Sequence, residues 1–401
     1  MFFTRVALLS SLLCTASFSI HAELKPVSYR TAGKPSSVAL TEDGKYLLLT
    51  VNGVDERRNA GVQVFSIDTA GKLKEIRLVS LGQNGVQGIV LIPHTHWLAI
   101  GLGGAGVVFA PVEDVISGKA QFRVISQGER AGSGYMAVSP DGQYLYVANE
   151  YAKTSFGNGV GTVGVIALHP SSDGSVHPQA ITQVPSVRTT PGIAISPDGS
   201  RLYSVAEVFA ARFADKIPGA KNPELRHDNC RQSGDRSMPS GALYVWDTAK
   251  LNALPASPAA DTMSRARMRV IHAGCSPVRA VITADGKRLY LTARGDDNVI
   301  EFDTAKLESD PEHAFLRALK TDGTAPVGLA LFNHDHSLLV ANSNRFDGGS
   351  GTAAVIDLAS GKVTQKFKAG DFPRNITLSP DGKTLYLTEF NSNTLLVIPV
   401  E

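Results

Sequence analysis

The sequence predicts an all-β fold, a seven-bladed β-propeller of four-stranded blades whose last blade is closed by an N-terminal strand. Three observations lead there. A short motif recurs along the chain, each copy carries strand–turn–strand chemistry, and the C-terminal copy lacks one strand that residues near the N-terminus can supply.

The motif is plainest at Ser139-Pro140-Asp141-Gly142, Ser196-Pro197-Asp198-Gly199, Thr283-Ala284-Asp285-Gly286 and Ser379-Pro380-Asp381-Gly382, each followed after two intervening residues by Leu-Tyr. Thr41-Glu42-Asp43-Gly44 is a fifth copy, and weaker copies at 91–101 and 331–342 carry His94-Thr95 and His334-Asp335 where the others carry Asp-Gly. Asp-Gly supplies the positive φ of a tight turn without a steric cost. The flanking runs are rich in Val, Ile, Leu, Tyr and Thr, as strands are. Third strands follow at 162–168, 242–247, 298–303 and 353–358, and a fourth follows a polar turn, as at 363–368. New copies open at Pro35, Pro191, Pro277, Pro326 and Pro373.

The units run 34–81, 82–128, 129–187, 188–274, 275–323, 324–370 and 371–401. The last ends after its third strand, 394–399. Residues 24–33 precede the first unit, and pairing them with that strand would close the ring and protect its edges.

This count excludes residues 1–22, which read as a signal peptide. Arg5 is their only Lys or Arg, 6–13 is mostly apolar, small residues follow at Ala16 and Ser17, and Ile20-His21-Ala22 suits cleavage. Cys14 raises a lipoprotein reading, but Leu12-Leu13 stands where small residues are expected. The apolar part is short for a membrane span, and no later stretch approaches one. A periplasmic or secreted propeller over 23–401 is therefore expected. In the whole chain 39 Lys and Arg meet 37 Asp and Glu. This near balance argues against nucleic acid or an anionic membrane held by bulk charge.

The phrases around Ser139-Pro140-Asp141-Gly142 and their counterparts resemble the YVTN repeats of secreted and surface-layer propellers, and the lactonase propellers similar to 6-phosphogluconolactonase. The resemblance covers essentially the whole mature chain. It implies the propeller fold; because the repeated residues build blades, it does not by itself imply an activity.

Strands alternate direction within a blade, so the connections from strand two to three and from strand four to the next blade share one face. That face collects Glu150, Glu207 and Glu389 with Arg188, Arg279, Arg294, Arg345 and Arg374. Arginine forks suit a carboxylate or phosphate; the competing reading is a ring of Glu–Arg pairs that ties blades together. The same face receives an insertion at 208–241 holding Arg212, Lys216, Lys221, Arg226, His227, Arg231 and Arg236, expected to act as an ordered lid. Cys230 lies inside it. Cleavage of the signal leaves only Cys230 and Cys275, both on this face, and a disulfide between them is expected.

Catalytic signatures are missing: no Gly-x-Ser-x-Gly, Cys-x-x-Cys, haem-attachment or His-Glu-x-x-His motif occurs. The run Gly101 to Gly106 reads as a tight turn rather than a phosphate loop. His94-Thr95-His96 and His334-Asp335-His336 lie on the far face in non-adjacent units, and read as turn histidines rather than a metal site. Lactonase-type propellers use acidic, His and Arg side chains around the channel; Glu150, Glu207, Arg279, Arg294 and His227 could fill such roles here, with a carboxylate as base and arginines on the oxyanion, but they match no family motif residue by residue and the activity is not carried over. A haem-d1-like electron-transfer reading lacks axial ligands or a haem motif. The expectation is a non-catalytic propeller, without cofactor, that binds a small anionic ligand or a partner protein at the channel mouth. The alternative is a lactonase-like hydrolase or isomerase. A carboxylate within reach of two arginines would favour the enzyme; a mouth filled by Phe346, Phe372 and Phe390 would favour binding.

Overall fold

The computed structural model describes residues 23–400 apart from 56–58, 83–84, 155–156, 187–188, 209–229, 231, 234–235 and 238–239. The signal segment, Arg188, His227 and most of the insertion lie outside the described residues.

Seven four-stranded antiparallel sheets form the ring. Blade 5 shows the common plan: Pro277–Ile282 innermost, then Arg288–Ala293, Asn298–Asp303 and Phe315–Lys320 outermost. In blade 7 the first three strands are Pro373–Leu378, Thr384–Glu389 and Thr394–Pro399, and the fourth is Val27–Arg30 from the N-terminus. It pairs antiparallel with the third, Tyr29 opposite Leu395.

Middle strands bury both faces because each blade is sandwiched between two others: Leu47, Leu48 and Leu49 are all fully buried. The apolar residues accordingly divide into seven clusters, one at each blade–blade interface. Leu24 packs at the interface of blades 6 and 7, and Tyr29 at that of blades 7 and 1. Outer strands alternate instead, as in Lys362–Asp371, with one face in solvent.

The recurring turn has a hydrogen-bond explanation. Ser139 Oγ donates to Asp141 Oδ1, which also accepts from the Gln143 N–H at 3.0 Å, while Ser139 Oγ accepts from the Tyr144 N–H at 2.9 Å. Hydroxyl and carboxylate make the same bond at Thr41 with Asp43, Ser196 with Asp198, Thr283 with Asp285 and Ser379 with Asp381. Glycine takes the left-handed position in these five turns, from φ 67° at Gly44 to 74° at Gly382. In the two divergent copies His94 takes φ 62°, and Asn333, His334 and Asp335 take 52°, 52° and 62°.

These bonds favour the charged carboxylate. The Thr41 and Thr283 hydroxyls first, then the Lys45 and Lys287 N–H groups, hold Asp43 and Asp285 down to about 2 from an ordinary 3.8. A carboxylate depressed on folding stabilises the fold above about pH 4, and that contribution is lost as pH falls toward about 2. Each is solvent-exposed, so each contributes modestly. Between pH 4 and 2, urea unfolding of the Asp43→Asn, Asp285→Asn double variant is expected to show less loss of stability than the parent; equal slopes would remove the turns from the acid response.

Short helices at Thr248–Asn252 and Thr304–Ser309 follow third strands and were not anticipated by the strand count. Both begin Asp-Thr-Ala-Lys, and Asp247 and Asp303 cap them through their carboxylates. Gly101 to Gly106 is a turn between strands, closed by the Leu102 N–H to Gly106 O bond of 2.8 Å. Among the described residues no helix is long and apolar enough to cross a membrane, and no three His, Cys, Asp or Glu side chains converge as metal ligands do.

Candidate functional site at the channel mouth

Innermost strands determine what the channel shows. In five blades the register with strand two shifts near the start of strand one, at Pro35/Ser37, Ser133/Met136, Pro277/Ala280, Pro326/Leu329 and Pro373/Ile376. Such a bulge re-aims side chains. Threonines on strand two satisfy the displaced N–H groups: Thr50, Thr292 and Thr388 accept from Ser37, Arg279 and Asn375, each at 3.0 Å.

Four residues before each turn begins, the seven blades carry Ser37, Gly88, Tyr135, Gly192, Arg279, Gly328 and Asn375. Glycine occupies blades 2, 4 and 6 because the next blade's bulged backbone leaves no room for a Cβ. An added Cβ at Gly88 would meet the Gly134 carbonyl at 2.8 Å, at Gly328 the Arg374 carbonyl at 2.6 Å, and at Gly192 the Val278 carbonyl closer still. The alternation leaves Tyr135 and Arg279 facing each other across blade 4. The Arg279 guanidinium lies 3.4 Å from the Tyr135 ring centroid. It is 8% exposed, and its Nη1 donates to the Pro191 and Val278 carbonyls. Arg374 reaches from blade 7 to Gln87 of blade 2, Nη2 to Oε1 at 2.7 Å.

Connections after strand two supply the rim. Arg294, 6% exposed, pairs with Glu207 of the neighbouring blade and donates to Ser276 Oγ at 3.2 Å. Ser276 Oγ in turn donates to Glu207 Oε1 at 3.0 Å. Arg294 lies over the Phe346 ring at 5.4 Å, Arg345 over Phe372 at 5.7 Å, and Arg374 over Phe390 at 5.2 Å and Phe372 at 5.9 Å. Phe372 and Phe390 meet edge-to-face at 6.0 Å. Cations held on aromatic faces stay organised without counter-ions.

Crowded positive charge perturbs these groups. Burial first, then repulsion from Arg345 and Arg374, brings Arg294 down to about 10 against the pull of Glu150 and Tyr151. Burial also lowers Arg279, reinforced by Arg374 and opposed by Tyr135 and Glu150. Burial would raise the Tyr135 phenol, but Arg279 and then Arg374 outweigh it, and the net movement is downward. Tyr135 keeps some accessible surface because it lines the channel, although neighbouring atoms crowd it throughout.

Arg279, Arg294, Arg345 and Arg374 are thus gathered by the structure, with Glu150 inside the electrostatic reach of Arg279 and Arg294. The Glu150 side chain has no hydrogen bond or ion pair among the described residues. Glu207 is there but committed to Arg294 and Ser276. Glu389, only 3% exposed, accepts from the Gly370 N–H of blade 6 and from Thr394 Oγ1 of its own blade 7, tying the two blades together. Each of its carboxylate oxygens thus already accepts one hydrogen bond from the fold. Tyr135 and Gln87 escaped a reading that collected acids and arginines on this face; the repeat register aligns Tyr135 with Arg279 and could have found it.

The expected disulfide is present. Cys230 and Cys275 are joined with their Cα atoms 5.4 Å apart. Cys275 directly precedes Ser276, and its N–H donates to Asp296 Oδ2 at 2.7 Å. The bond therefore ties the insertion to the backbone that positions the Arg294–Glu207 pair.

These features define a seven-bladed propeller with an arginine-rich, aromatic-braced channel mouth. No family model matches the chain. No curated protein matches it either.

Proposed function

We propose that the protein is an exported propeller of the YVTN type that binds a small anionic ligand at this mouth. One observation carries the reading: four guanidinium groups from blades 5, 6 and 7 share one site with aromatic faces, and among the described residues only Arg294 makes an ion pair there, with Glu207. Mutual repulsion of half-desolvated arginines is relieved by an anion, and an anion that binds only the folded state raises its melting temperature. The disulfide supports export, since such bonds persist in oxidising compartments.

The test is thermal stabilisation by a panel of small carboxylates and inorganic phosphate. Stabilisation that rises with anion concentration is expected for the parent and should vanish in the Arg279→Gln, Arg294→Gln double variant. If no anion stabilises the parent beyond what chloride does, the cluster is a structural clasp between blades.

A second reading, lactonase-like hydrolysis, is favoured by Glu150, an uncommitted carboxylate beside Arg279 and Arg294 that would serve as the base. The stacking of Phe346 and Phe372 on the arginines favours binding instead, and no carboxylate among the described residues bonds two of these arginines. Turnover of a simple lactone would replace the first reading with the second.

A further inference from the structure

The Tyr135 hydroxyl is a buried polar atom with no well-aligned hydrogen bond, since Arg279, its close polar neighbour, lies over the ring face, and Arg279 Nε and Arg294 Nε also lack partners in the same cluster. Leaving a buried donor unsatisfied costs free energy, and such groups in a native fold call for an explanation. The usual structural one does not suffice here. A tyrosine kept only for packing could be a phenylalanine, yet this phenol has one guanidinium on its ring and feels the charge of a second. Arg279 is stacked on its ring and Arg374 lies within electrostatic reach.

We infer that the Tyr135 hydroxyl is the contact that reads the ligand's head group, donating its proton to an oxyanion held against Arg279 and Arg374 at the base of the mouth. The inference rests on the anion-binding reading above and deepens it by naming the subsite and its ligand chemistry. Sequence and geometry agree on why this blade and no other supplies the group. Gly88 and Gly192, at the aligned positions of the flanking blades, carry no side chain, so Tyr135 has the inner surface between Gln87 and Arg279 to itself. Arg374 is held by a hydrogen bond to Gln87 and by its stacking on Phe372 and Phe390. An oxyanion reaches the hydroxyl by drawing this side chain onto itself. A phenol donates one short, directed bond, which a carboxylate or phosphate oxygen accepts equally well; the class is therefore an oxyanion, and the probes separate the two sources.

Three charged groups face the phenol: Arg279, Arg374 and Glu150. Because it must donate, the bound anion holds its proton. Binding should weaken as pH rises through the depressed phenol titration, and saturating anion should move that titration upward.

The experiment is calorimetric titration of the parent and the Tyr135→Phe variant with acetate, benzoate and inorganic phosphate. It is paired with phenolate absorbance, read as the difference between the two proteins. Expected is a loss of affinity on the order of ten- to a hundredfold in the variant, as for a hydrogen bond to a charged group. Its melting temperature without anion should equal or exceed the parent's, since the unsatisfied hydroxyl is gone, and the best probe should shift the phenol titration upward in the parent. Equal affinities in both proteins would overturn the role of Tyr135 while leaving the anion site intact. Failure of every probe to bind the parent would overturn the anion reading itself, and this inference with it. A variant that binds weakly but also melts lower is judged by the parent's phenol titration alone: no movement on adding anion would overturn the contact.

Discussion

Removing residues 23–33 is expected to lower the melting temperature by about 5–10 °C and to make the protein prone to associate. The strand Val27–Arg30 is the outer strand of blade 7, so its loss exposes the edge of Thr394–Pro399. Unpaired edges recruit other strands. The truncation also removes the Thr31 N–H to Asn393 O bond of 2.9 Å and the Ala32 N–H to Gln63 Oε1 bond of 2.9 Å, and it takes Leu24 and Tyr29 from two blade interfaces. Ladder bonds at about 1 kcal/mol each and two half-buried apolar side chains sum to roughly 5 kcal/mol or somewhat more. With unfolding entropy near 2 cal/mol/K per residue, that is the stated shift for a chain of this size. Calorimetry on the truncated and parent proteins checks it; coincident melting curves would show that the ring is held shut without this strand.

Replacing Cys230 and Cys275 together by serine is expected to cost about 4 kcal/mol of unfolding free energy, the chain-entropy value for a bond spanning a sequence separation of 45. The loss should fall on the site as well as on the fold. Cys275 is 5% exposed and leads into Ser276, whose positive φ of 51° and hydroxyl set the Arg294–Glu207 pair. Anion-dependent stabilisation should therefore shrink in the double serine variant by more than a surface substitution would explain. Thiol counting on the unfolded, unreduced mature protein is the direct check: two titratable thiols would rule the bond out.

The sequence alone determined the repeat and, through it, the fold. Each Ser/Thr-x-Asp-Gly turn is a local hydrogen-bond network whose partners lie within five residues, so its chemistry can be read without knowing the rest of the molecule. Strand closure followed by counting, and the cysteine pair by topology. Arg279, Arg294, Arg345 and Arg374 were likewise legible, because antiparallel strands place alternate connections on one face. What only the tertiary structure decided is how those side chains are used. Glu389 turns inward to Gly370 and Thr394, while Glu207 spans to Arg294 of the next blade and Glu150 stays uncommitted. The contacts with Gly370 and Arg294 span 19 and 87 residues, chosen by packing that periodicity does not encode. The meeting of Tyr135 with Arg279 belongs to the same kind. It arises from bulges in two inner strands and from glycine in the blade between them, features that take meaning only when the ring is closed and the inner strands press on one another.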